Sequence, residues 1–141
     1  MVDRARARRV TASDISPVDE SERVIRGIHP DHWNAYEDRP TSAAYRKREL
    51  SVDREGFRSV DVCCVVRPEW GFTRLDVSVV RKLGLEVVAD PVGTTPPPEG
   101  SPPSLEWNPG HALIVGDKTR MIRLRDVATT LRRPGDCRAV T

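Results

Sequence analysis

Proline sets the first limit on what this chain can form. Six of its twelve prolines fall between positions 91 and 103, in PVGTTPPPEGSPP, and Pro109 follows closely. A proline fixes φ and has no N–H to donate, so neither a helix interior nor a central strand tolerates such a run. The segment reads as a spacer loop or a polyproline II stretch. It separates the elements before it from one clear strand after it, His111–Val115 (HALIV). At 141 residues the chain fits one domain, large enough to bury a core without a metal or disulfide staple.

Periodicity gives the remaining elements. In Glu22–Ile28, Val24 and Ile28 fall on one face of a strand and Ile25 on the other. Residues 31–39 are polar and aromatic and read as a loop. Pro40-Thr41-Ser42 then opens a short helix through about Arg48, with Thr41 or Ser42 as the cap. Ser51–Asp53 reads as a short strand before a turn at Arg54-Glu55-Gly56. Val60–Val66 (VDVCCVV) is nearly all apolar and reads as a central strand. Trp70–Leu75 is a further strand. A two-turn helix begins at Asp76 or Ser78 and runs to Leu83, with Gly84 at the C′ position. Leu85–Ala89 is a strand. Lys118–Arg133 is either one helix or a strand through Leu124 followed by a helix from Asp126. The sum is an α+β domain over residues 22–133, with a mixed or antiparallel sheet and two or three helices. Residues 1–21 are expected to be a disordered basic arm and residues 134–141 a C-terminal tail.

Composition narrows the function classes. The formal net charge is +2, too small for a strong polyanion-binding field over the whole domain. Only three of the 23 basic residues are lysines, Lys47, Lys82 and Lys118. Arginine suits phosphate and carboxylate recognition, but scattered arginines in a valine-rich chain more often reflect base composition. Arg4, Arg6, Arg8 and Arg9 would let the arm touch nucleic acid. Cys63, Cys64 and Cys137 do not form a disulfide framework. They read as buried small hydrophobes in a reduced, cytoplasmic protein. The first 21 residues hold no apolar signal core, and no run approaches the length of a membrane span.

Chemistry is densest between Ile28 and Asp53, which holds His29, His32, Trp33, both tyrosines, Arg39, Thr41 and Ser42. His29 ends one expected strand and His111 begins another. If those strands were neighbours, the two imidazoles would face each other. His29 or His111 would then serve as general acid/base, with Ser42 as a further catalytic candidate. Arg39 and Thr41 would hold an anion. His29-x-x-His32 with His111 also suggests a zinc site, but Pro30 disfavours a helical His pair, so no metal or other cofactor is expected. The strand, loop and hydroxyl-rich helix here resemble ADP-ribosyl-transfer folds; Glu49 and Glu106 are the available acids, in no recognisable motif. There is no P-loop, dinucleotide glycine fingerprint, Gly-x-Ser-x-Gly elbow or Cys-x-x-Cys pair. Trp33, Tyr36, Trp70 and Trp107 would anchor a protein partner if exposed; otherwise they fill the core.

The order IHPDH, RPTSAAYRKRELSV and NPGHALIVGDKTR, from about Arg23 to Arg133, resembles a group of small bacterial proteins. That group shares a His-Pro element, a Pro-x-Ser-x-Ala-aromatic element and a Pro-x-His-Ala strand. His29, Ser42 and His111 fall at its signature positions. The resemblance implies no chemistry, and suggests an accessory component of a bacterial gene cluster, of the defence or toxin kind. The leading expectation is therefore a cytoplasmic accessory or protein-binding domain. The alternative is a small enzyme acting on a nucleotide or nucleic acid through the same residues.

Overall fold

The computed structural model describes residues 16–139. Among these residues, eight strands and four short helices follow in order: β1 (Arg23–Ile28), β2 (Trp33–Asn34), β3 (Arg39–Pro40), β4 (Glu49–Arg54), α1 (Val60–Val66), β5 (Gly71–Asp76), α2 (Val77–Lys82), β6 (Glu86–Ala89), β7 (His111–Val115), α3 (Lys118–Met121), α4 (Leu124–Val127) and β8 (Thr129–Arg132). Six strands form one antiparallel sheet in the order β6-β7-β4-β1-β5-β8, and β2 and β3 form a small hairpin. The chain is thus an α+β domain, as its periodicity indicated.

Alternation along the strands builds two different faces. Val24 and Ile28 of β1, Leu50 and Val52 of β4, and Ala112 and Ile114 of β7 turn to one side. There they meet Val77 and Val80 of α2, Met121 of α3 and Leu124 of α4. Ile25 and Phe72 turn to the other side and pack with Cys63, Cys64 and Cys137. The first is the aliphatic face, and the second the cavity face.

Several elements depart from the sequence reading. Val60–Val66 is a helix, not a strand. When nearly every position is apolar, neither a period of 2 nor one of 3.6 stands out, so the local ends decide. The Ser59 hydroxyl accepts from the Val62 N–H at 3.3 Å, which caps a helix, and Asp61 sits in its first turn. The helix expected from Pro40 to Arg48 shrinks to one 3₁₀ turn at Ser42–Ala44. The Arg26 guanidinium takes the Ala44 carbonyl at 3.1 Å, and the buried Tyr45 hydroxyl bonds Thr73 Oγ1 at 2.8 Å. Both draw the backbone out of a helical path. Lys118–Arg133 is two one-turn helices and then a strand. Asp117 caps the first by accepting from the Arg120 N–H. Thr129 and Thr130 then extend the chain as edge strand β8 against β5.

The domain's ends also differ. Residues 1–15 of the expected arm lie outside the described residues. Residues 16–18 pack on the domain: Val18 is buried, and the Arg54 guanidinium donates to the Ser16 carbonyl at 2.8 Å. Of the expected tail, Asp136–Ala139 forms a 3₁₀ turn, and Cys137 is disulfide-bonded to Cys64. That bond corrects the expectation of unpaired, reduced cysteines. It joins residues 73 apart in the chain, a pairing that local spacing does not reveal. Among the described residues, no helix is long and apolar enough to cross a membrane.

Candidate functional site

A cavity of about 360 Å³ opens on the cavity face, within the range of small-ligand sites. Its floor is the sheet. Ile25, Asp53 and His111 lie side by side on β1, β4 and β7 as direct cross-strand partners. Helix α1 forms one wall with Cys63 and Val66, and Arg67 and Trp70 continue it. The far wall is the proline-rich loop, through Val92, Leu105 and Asn108.

That loop is pinned, not free. Val92 and Asn108 exchange backbone hydrogen bonds of 2.9 and 2.8 Å. Gly93 has φ +80°, and a Cβ there would stand 2.4 Å from the Glu106 carbonyl; only glycine allows both. The buried Arg58 donates to the carbonyls of Ser104 (2.9 Å) and Trp107 (3.2 Å).

Charge around the cavity is lopsided. Arg67 stacks on the Trp70 ring, 4.0 Å from its centroid, so its fork is held without a carboxylate. Among the described residues neither Arg67 nor Lys47 has an acidic partner, and Arg58 is bonded only to carbonyls. Arg26 donates to the carbonyls of Ser51 and Ala44, also without an acid. Burial pulls its pKa down to about 10, and the charge of Arg67 pulls the same way. Among the described residues the lining opposes these cations with one carboxylate, Asp53, already occupied by the Asn108 amide and the Cys63 thiol at 3.6 Å.

The cavity is better built to bind than to attack. Burial pushes the Cys63 thiol up to about 12, and the neighbouring Asp53 charge adds to the rise. The thiol therefore stays protonated and is a poor nucleophile. His111 Nδ1 faces two oxygens of Asp90, the carbonyl at 2.9 Å and the carboxylate at 3.2 Å. That pair fixes the ring and puts the proton on Nδ1, which leaves Nε2 as an acceptor in the neutral imidazole.

The residues singled out from sequence divide into two groups. His111 lines the cavity. His29 does not: β4 lies between β1 and β7, so the two histidines do not sit on neighbouring strands. His29 stands edge-on to Trp70 at 5.4 Å, and its Nδ1 accepts from the Asp31 N–H. Ser42 accepts from Arg46, and Arg39 pairs with Asp126 at 3.3 Å. Thr41 Oγ1 is buried without a partner, while its N–H donates to the His32 carbonyl. These residues gather around the turns at Pro30–His32 and Ser42–Ala44, which touch each other. Among the described residues, no group of three or more His, Cys, Asp or Glu could hold a metal ion. Trp33 packs on the aliphatic core and Trp70 on the smaller one, while Tyr36 is fully exposed in the hairpin turn.

Arg58, Arg67 and Lys47 were not distinguishable from sequence, because each is one of many scattered basic residues. The spacing of Arg67 and Trp70 across the Pro68-Glu69 turn was the available signal. Compared with known proteins, the chain matches no family model, no curated protein and no solved structure.

Proposed function

We propose that the domain is a binding module for a small ligand that carries an anionic group on an apolar, preferably flat, body. The observation that supports this most is the set of cations around one cavity with, among the described residues, no free carboxylate to neutralise them. Arg67 would take the anion with its preorganised fork, Lys47 would add charge at the mouth, and Ile25, Val66 and Phe72 would cover the apolar part. His111 would accept one hydrogen bond through Nε2. A cytoplasmic accessory role in a bacterium, as the motif resemblance implies, fits a ligand-binding module, and a protein partner would then read the bound state. The enzymatic alternative keeps His111 as its general base.

Thermal melting with three probes tests the proposal. Phenyl phosphate should raise the melting point more than inorganic phosphate does, and benzylamine should not raise it. Arg67→Ala should remove the phenyl phosphate effect. Equal stabilisation by benzylamine, or an unchanged response in Arg67→Ala, would overturn the reading.

A further inference from the structure

The cavity wall carries a covalent tie whose function goes beyond holding the chain. Cys64 lies on α1, next to Cys63 and one turn before the stacked pair of Arg67 and Trp70. Its partner Cys137 sits in the 3₁₀ turn Asp136–Ala139, with its sulfur 3.8 Å from the Trp70 carbonyl. Pro134 presses on the start of β5, where a Cβ on Gly71 would meet its Cδ at 2.9 Å. The 133–138 segment therefore braces the α1–Trp70 wall from behind. Its ties also include the ion pairs Arg133–Asp38 and Arg138–Glu69, both on exposed side chains, and such pairs hold weakly in water. Behind the wall the buried apolar residues are few, and three of the five are the cysteines themselves.

We infer that the Cys64–Cys137 disulfide is a reducible latch on the proposed ligand cavity: oxidised, it fixes the wall that presents Arg67, and reduced, it lets that wall move. The inference rests on the binding reading for its consequence but not for its structural core. The reductant is an external dithiol. One of its thiolates attacks Cys64 Sγ, the less covered residue of the pair, and Cys137 leaves as a thiolate and takes a proton. The second thiol of the reductant then displaces Cys64, so two electrons and two protons end on the cysteines and the dithiol becomes a disulfide. Cys63 is not the exchanging thiol, because its sulfur faces Asp53 and stays protonated. In a reducing compartment a bond of this kind responds to redox state; in an oxidising one it persists as a staple.

The test is hydrogen exchange on the full chain, oxidised and after treatment with dithiothreitol, with alkylation to count free thiols. Reduction should expose two further thiols and speed exchange in residues 60–72 on the order of tenfold or more, a shift of one decade in the opening equilibrium. Strands β4 and β7 open only with the whole domain, so they should speed up no further than the lower global stability requires and stay slower than residues 60–72. Cys64→Ala/Cys137→Ala should exchange like the reduced protein whether or not dithiothreitol is present. Phenyl phosphate should bind the reduced form on the order of tenfold more weakly. The latch is overturned if the thiols stay inaccessible to the dithiol, if residues 60–72 exchange equally in both states, or if on reduction residues 60–72 and strands β4 and β7 come to exchange with one common opening free energy. If phenyl phosphate binds neither form, the binding reading falls while the exchange data still decide the latch.

Discussion

The two faces of the sheet solve the same burial problem with different means. The aliphatic face buries sixteen residues in one cluster, nearly all aliphatic, beneath α2, α3 and α4. The cavity face buries five, of which three are cysteines, and leaves a cavity beside them. Buried apolar area stabilises by about 25 cal/mol per Å², so the first face carries most of the fold's stability. The second face is thin enough that a disulfide and a pinned loop substitute for packing. It can also keep uncompensated charge and an open volume, which a fully packed face could not. Stability and binding are thus assigned to opposite sides of one sheet, linked through strands that belong to both.

Substitutions can break this contrast in order of size. Ile114→Ala, at the centre of the aliphatic face, should cost about 2–5 kcal/mol in urea unfolding. A loss under 1 kcal/mol would mean that face is not the main core. Removing the disulfide as Cys64→Ala/Cys137→Ala should cost about 2–4 kcal/mol, because it closes a long loop. Wild type in dithiothreitol should match it; if the variant equals oxidised wild type, packing alone holds the cavity face.

A third test probes the rim of the aliphatic face, where the buried Arg54 is held by Glu22 at 2.7 Å through two nitrogens. The Arg54 hydrogen bond holds the Glu22 pKa below its ordinary 4.5, against the opposing effect of burial. A depressed carboxylate contributes stability that is fully present above its unfolded value and lost as pH falls through its folded value. Stability should therefore fall below about pH 4.5 as Glu22 is protonated. Glu22→Gln should cost about 1–3 kcal/mol at neutral pH and flatten that acid limb. An unchanged acid limb would show that other carboxylates control it.

The two smallest effects belong to the cavity face. A Cβ at Gly27 would stand 3.0 Å from Trp70 Cε3, so Gly27→Ala must push the indole. It should cost only about 1 kcal/mol yet change tryptophan fluorescence and the phenyl phosphate response. Arg67→Ala should alter stability by less than about 1 kcal/mol, the loss of one partly exposed cation–π stack, while abolishing that response. A large stability loss in Arg67→Ala would make the residue structural.

What the sequence revealed follows the same division. The aliphatic face was legible because it is periodic: Val24 and Ile28 fell on one side of β1 and Ile25 on the other, and HALIV and the Gly84-terminated helix were read nearly as they stand. The cavity face was not. VDVCCVV carries no period, Cys64 and Cys137 meet across 73 positions, and the lining runs from Ile25 to His111. His111, legible as the first residue of a strand, stands in the cavity lining. Whether His29 joins it depended on strand neighbours, which follow from topology, and β4 inserts between β1 and β7.

The central claim is that an anionic ligand with an apolar body occupies the cavity face. A two-dimensional NMR titration of the oxidised protein with phenyl phosphate addresses it most directly. The account predicts saturable shifts concentrated at Ile25, Gly27, Asp53, Arg67, the Trp70 indole N–H and His111, with the aliphatic face silent. Shifts confined to basic residues outside the cavity, such as Arg46 and Arg120, or no saturation at all, would contradict it.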